Sequence, residues 1–153
     1  MRFPYLLAVI LAFSALAQAA DDPPTPRGPS VNERLTSARK AIDAKDWSRA
    51  MTDLNAAVRQ EPRNADVHNL LGYTWRKRAS PDLAKAIEHY KTALQINPRH
   101  KGAHEYIGEA YLMGNNPAEA EKHLAQLEAI CGNRTCEEYA DLAKALAEFK
   151  AKK

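Results

Sequence analysis

Along the middle of the chain the apolar and small positions return in blocks. Ala50, Leu54, Ala57 and Pro62 have the spacing of Ala86, Tyr90, Ala93 and Pro98, a shift of 36, and Ala120, Leu124 and Leu127 continue the series at a shift of 34. Ahead of them, Ala38 and Ala41 correspond to Gly72 and Trp75, and then to Gly108 and Tyr111. Self-similarity at such a period marks a repeat protein, in which each unit buries its apolar stripe against the next. Three units emerge, 31–64, 65–100 and 101–134.

Each unit reads as two helices. Ser30 with Glu33 forms a capping box that starts the first one. Asp46, Ser80 and Asn116 stand where second helices are expected to begin, and Pro81 and Pro117 follow two of them at the first helical position, where a missing amide costs nothing. Pro62 and Pro98 end those helices. Ala38, Gly72 and Gly108 on the first helices are expected to face Ala50, Ala86 and Ala120 on the second, because larger side chains would wedge two closely crossing helices apart. Unit two carries two extra residues in its turn, within residues 76–82, and these lengthen the loop.

The repeat pattern ends with the third unit. Solenoids have to cover their last apolar face, and Tyr139, Leu142, Leu146 and Phe149 recur at helical spacing. Residues 135–153 are therefore expected to form a capping helix and basic tail, with Thr135 to Glu138 as a second capping box.

Composition agrees. The chain has 153 residues, 45% of them hydrophobic, few glycines and few β-branched residues, which suits one all-α domain. Its 22 basic and 19 acidic side chains are interleaved, a balance that argues against a nucleic-acid binder. Residues 1–19 read as a signal peptide: Arg2, an apolar run from Tyr5 to Ala17 broken by Ser14, and Ala17-Gln18-Ala19 as the small-x-small cleavage site. The run is shorter than the roughly 20 residues that span hydrocarbon, and no second hydrophobic segment follows, so the mature chain is expected to have no integral membrane segment and to be periplasmic or secreted. No cysteine follows the cleavage point to accept a lipid. Residues 20–30, rich in proline, read as a disordered leader.

With these residues in place, the chain resembles a tetratricopeptide repeat protein, a stack of helix-turn-helix units. The stretches LLGYTW with AIEHYKTALQINP, and YIGEAY with AEAEKHL, match the family pattern of Leu-Gly-x-x-Tyr, then Ala-x-x-x-Phe, then Ala and Pro. Leu127 and Gly132 depart from it, both at the end of the third unit. The resemblance implies a right-handed α-solenoid of three repeats plus a capping helix, with the first helices lining a concave groove that holds a peptide or helix of a partner protein. It also implies the groove positions: Leu35, Arg39 and Ile42 in unit one, Asn69, Tyr73 and Arg76 in unit two, and Glu105, Glu109 and Leu112 in unit three. Members that clamp the C-terminal carboxylate of chaperone tails use Lys, Asn and Arg at such sites. Glu105 and Glu109 break that set.

Two cysteines remain, Cys131 and Cys136. An oxidising compartment favours a disulfide that pins the cap to the stack, worth about 2 kcal/mol for so short a loop in the chain-entropy model. Free thiols, a redox pair and a metal site stay open at this stage. Asn133-Arg134-Thr135 also fits a glycosylation sequon, relevant to a eukaryotic secretory route. Enzymatic activity, metals and cofactors are not expected: His68 with His104, and His89 with His123, occupy equivalent repeat positions, so repeat structure explains them first. His100 and His104 lack an obvious third ligand. Glu105 and Glu109 share a helical face, where solvated or partner-facing charge is commoner than acid-base chemistry. The reading is a monomeric, non-catalytic interaction module of the cell envelope. Its alternative is an assembly scaffold that docks by its convex second helices.

Overall fold

The computed structural model describes residues 28–152. The expected signal peptide at 1–19, and the leader as far as residue 27, lie outside the described residues. Seven helices follow in order: α1 (Val31–Asp43), α2 (Trp47–Gln60), α3 (Ala65–Lys77), α4 (Leu83–Ile96), α5 (Lys101–Met113), α6 (Pro117–Cys131) and α7 (Glu137–Ala151). The described residues contain no strand, and the chain is an all-α stack of three helical hairpins closed by α7.

Local chemistry sets the boundaries. Ser30 and Glu33 form the expected capping box at α1. Asp46, Asn64, Asp82, His100 and Asn116 each accept a hydrogen bond from the backbone amide three residues on. Second-helix caps thus fall at 46, 82 and 116, so α4 starts after Asp82, and Ser80 and Pro81 lie in the preceding loop. The two inserted residues explain this correction, since they displace the cap as well as the helix. Lys45 and Asn115 adopt φ of 56° and 58° in the shorter turns of units one and three. The expected capping box at Thr135 is absent. Cys136 is the N-cap of α7 and makes no side-chain cap bond, while the Thr135 hydroxyl donates to Asn133 Oδ1 at 2.9 Å.

The core lies between units. One cluster joins α1, α2 and α3 through Leu35, Leu54 and Leu71; a second joins α4 to α5 through Tyr90 and Ile107; a third joins α5, α6 and α7 through Leu112, Leu127, Leu142 and Leu146. The small crossing residues are fully buried, as expected, but the nearest neighbours differ from those anticipated. A Cβ on Gly72 would meet the Tyr90 ring at 2.6–2.9 Å, and one on Gly108 would meet Leu142 of α7 at 2.6 Å. In unit three Leu124 replaces the large Tyr90, and the capping helix supplies the filling group. Cys131 and Cys136 stand at disulfide distance, with S–S at 2.09 Å, and link the end of α6 to the start of α7. Gly132 between them makes the turn with φ of 71°, a left-handed conformation that glycine adopts without a steric penalty.

The histidines serve the stack. His68 and His104 donate from Nε2 to the carbonyls of Pro62 and Pro98 at 2.9 and 3.0 Å, which leaves each Nδ1 as an acceptor. His89 Nδ1 and His123 Nδ1 then donate to those acceptors across 3.2 and 2.9 Å, tying second helix to first in two successive units. His123 also stacks on Tyr111, with ring centroids 5.8 Å apart. Burial, followed by its neighbour His104, holds the His123 imidazole down at about 4.

Two outcomes follow from this packing. Gly72→Ala forces the Tyr90 ring to move and should destabilise by about 1–3 kcal/mol, read from chemical denaturation; unchanged stability would show the α3–α4 contact to be looser than described. Acidification should weaken the fold as well. With the folded His123 held at about 4, its stabilising share is present above the ordinary value of 6.5 and is lost as pH falls from 6.5 towards 4. His123→Gln, whose amide still donates to His104, should show a shallower fall of Tm over that interval than the parent.

Candidate partner-binding groove

The first helix of each hairpin packs beside the next, with α5 directly against both α3 and α7. α7 occupies the position of a fourth first helix, so α5 is flanked on both sides by helices of this kind. Helical periodicity then brings Asn69, Tyr73 and Arg76 of α3 alongside Glu105, Tyr106 and Glu109 of α5.

Arg76 is the centre of this face. It is only 4% exposed. Its Nε donates to the Tyr90 hydroxyl at 3.3 Å, and a terminal nitrogen pairs with Glu109 at 2.5 Å. The guanidinium lies 5.4 Å from the Tyr73 ring centroid and 5.5 Å from that of Tyr106. Those two rings are themselves 5.0 Å apart. Burial opposes the charge, but Tyr90 and Glu109 outweigh it and hold Arg76 charged, above its ordinary value. Burial likewise pushes the Tyr90 phenol up, and that of Tyr106 to about 12. Arg76 is therefore a structural bridge between units two and three, and its stem and head are unavailable as a free anchor.

Glu105 presents the opposite case. It is 8% exposed, and among the described residues it enters no ion pair. Burial first, then the like charges of Glu109, Asp141 and Glu138, push its carboxyl up to about 8. Arg76, the cation that counteracts these, is already committed to Glu109. Glu138 is paired with Lys101 at 3.2 Å, and Asp66 with His100 at 2.9 Å. Asn69, 7% exposed, sits over Gly102 of α5, and its Oδ1 is buried with no hydrogen-bond partner.

Towards the other end of the same helices, a recess of about 310 Å³ opens between α5 and α7, lined by Arg76, Glu109, Leu112, Met113, Ala145 and Phe149 among others. Met113 is 51% exposed there.

The nine positions carried over from the repeat family thus divide. Arg39 is exposed, and Ile42, Tyr73 and Glu109 are half-buried on the surface. Leu35 and Leu112 belong to the inter-unit core clusters, although Leu112 also shows an edge to the recess. Asn69, Arg76 and Glu105 are buried polar groups. Tyr106, Asp141 and Met113 were not anticipated. The position one residue after Glu105, and the helical spacing of Glu138 and Asp141 against it, were visible in sequence only to a reader who already had α7 seated as a first helix. Of the two groove carboxylates on α5, Glu109 is held by Arg76 and Glu105 is buried.

Removing the Arg76 side chain leaves the Tyr90 hydroxyl and Glu109 without their partner. Arg76→Ala should therefore lower stability by about 2–4 kcal/mol in denaturant unfolding, while Arg39→Ala stays within about 0.5 kcal/mol of the parent. Equal stability of the two variants would contradict the bridging role.

Family models described as tetratricopeptide repeat match residues 35–99 and 78–146. Cellulose synthase operon protein C of Pseudomonas fluorescens (strain SBW25) is 32% identical over 78 residues, which is 49% of this chain and 6% of that protein. The chain thus spans a small fraction of that relative. Among solved structures, the TPR2B domain of yeast Sti1 in its pHsp70 complex superposes with a TM-score of 0.71 at 14% identity, over 80% of this chain and 98% of that one. The first TPR of Spaghetti (RPAP3) bound to the HSP90 peptide SRMEEVD gives 0.68 at 13%, over 80% and 94%. The Yersinia enterocolitica type III secretion translocator chaperone SycD gives 0.70 at 18%, over 80% and 92%. At these identities the likeness is one of fold.

Proposed function

Because the chain belongs to the tetratricopeptide repeat family, we propose that it is a non-catalytic protein-interaction module that holds a peptide or helical segment of a partner protein along α3, α5 and α7. One observation carries this reading: the face shared by these helices combines the paired rings of Tyr73 and Tyr106 with an open recess at Met113 and Phe149. Aromatic anchors beside a recess are what peptide-binding grooves use. Solved relatives of the same fold were captured with bound peptide or partner, as in the HSP90 peptide and pHsp70 complexes. The concave groove is the surface that this arrangement suits.

The cell envelope is the proposed setting. The signal-like residues 1–19, a cysteine pair at disulfide distance and the likeness to a cellulose synthase operon protein support it. A soluble, monomeric mature chain beginning at Ala20, with repeats over 31–64, 65–100 and 101–134 and the cap after them, completes the proposal.

Arg76 cannot test the groove, because its loss also damages the stack. Tyr73→Ala is the cleaner probe, since its ring is half-buried at the surface and occupies no crossing site. In affinity purification from the native source, this variant should keep its helical content and lose partner capture about tenfold. Capture that survives Tyr73→Ala but fails when the second-helix residues Arg49 and Lys85 are changed to Ala would replace the groove with an assembly scaffold docking by its convex side.

A further inference from the structure

The groove carries a charge imbalance that the fold itself does not resolve. Of the carboxylates that act on one another there, Glu109 is neutralised by Arg76 and Glu138 by Lys101. Glu105 and Asp141 enter no ion pair among the described residues, and they interact repulsively across the α5–α7 seam. Acidic clusters are common on protein surfaces, but this one contains a carboxylate that is more than nine-tenths buried and has no hydrogen-bond partner among the described contacts. A few residues away at the α3–α5 seam, the buried Asn69 Oδ1 also lacks a donor. Buried polar groups are ordinarily satisfied, so the carboxylate left without a partner on this face points to a donor that arrives from outside.

We infer that the groove selects a basic segment of its partner, placing an Arg or Lys side chain against Glu105 and Asp141 and an adjacent apolar side chain in the recess beside Met113. This rests on the groove reading above and adds the chemistry of the occupant. The guanidinium or ammonium head supplies the hydrogen-bond donors that Glu105 lacks, and its charge offsets the repulsion from Asp141. The rings of Tyr73 and Tyr106 flank its path, a setting that also suits a cation. An acidic segment such as the SRMEEVD peptide of the RPAP3 complex would meet carboxylates here instead of donors.

The geometry also sets a spacing. Glu105 and Leu112 at the recess are seven residues apart on α5, which at a rise of about 1.5 Å per residue is roughly 10 Å. Extended peptide covers that distance in about three residues at roughly 3.3 Å each. The preferred pattern is thus a basic residue followed or preceded at the third position by an apolar one.

Protonation gives a second signature. Glu105 is held up to about 8 by burial and by Glu109, Asp141 and Glu138, with Arg76, Tyr73 and Tyr106 as the other titratable groups around it. At neutral pH it is largely protonated, and pairing with a cation requires its ionised form. Binding of a basic segment therefore releases a proton and tightens as pH rises from 6 to 8.5.

The test uses the ¹⁵N-labelled full chain titrated with a dodecapeptide of Gly and Ser carrying two Arg-x-x-Leu units. Twin peptides replace Arg with neutral citrulline or with Glu. Backbone shifts should concentrate on α5 and α7, with the Arg peptide at least tenfold tighter than the citrulline twin and the Glu twin weaker still. Glu105→Gln with Asp141→Asn should remove that preference. The pH trend in the unaltered protein reads the same pairing without any substitution. Equal affinity for Arg and citrulline peptides, preference for the Glu peptide, or no binding of the Arg peptide overturns the inference, and shifts that still map to α3, α5 and α7 leave the groove reading standing. Shifts confined to α2, α4 and α6 overturn both.

Discussion

A bare backbone at residue 72 is the constraint from which the middle of this protein follows. Without a Cβ there, the Tyr90 ring lies against α3, where an added carbon would stand 2.6 Å from it. That position brings the phenol within reach of Arg76, one turn along the same helix, and Arg76 in turn reaches Glu109 in the next unit. A steric allowance inside one hairpin is thereby converted into an electrostatic link between two. The link matters because repeat units hold together only through nearest neighbours, and none of the three hairpins has a self-contained core.

The two kinds of polar burial in the stack have opposite characters. In the histidine pairs both ring nitrogens of His68 and His104 have partners, and burial favours the neutral form of His123. These pairs fasten second helices to first ones in units two and three. The groove side is incomplete, since Glu105 and Asn69 are buried without the donors that would satisfy them. Proteins carry local violations of this sort where function requires them, at a cost in stability met elsewhere in the fold.

The C-terminal end is closed by two devices rather than by the side-chain cap that its sequence suggests. Leu142 of α7 fills the space over Gly108, and the Cys131–Cys136 pair joins α6 to α7 across Gly132. Since Cys136 is itself the N-cap, its sulfur is engaged in that link and Thr135 turns back to Asn133. Seating α7 in this way also delivers Glu138 and Asp141 to the groove, so the element that ends the solenoid completes the candidate site.

Much of the architecture was determined by the sequence alone. Shifts of 36 and 34 residues, small residues at 38, 72 and 108, and prolines at 62 and 98 specify three helical hairpins, because each device acts locally or at a fixed period. The start of α4 at Asp82 was equally determined by the shift of 36 that links it to Asp46, although Ser80 and Pro81 offered a more familiar signal. Tertiary structure decided what happens to each polar side chain of the groove. Arg76 and Glu105 both lie on first helices at positions read as partner-facing, yet one is locked between Tyr90 and Glu109 and the other is left unpaired. Their fates depend on which groups of α4, α5 and α7 arrive beside them. Helical periodicity specifies the face on which a residue lies, whereas burial and charge pairing are set by groups remote in sequence, and only the packed stack brings those together.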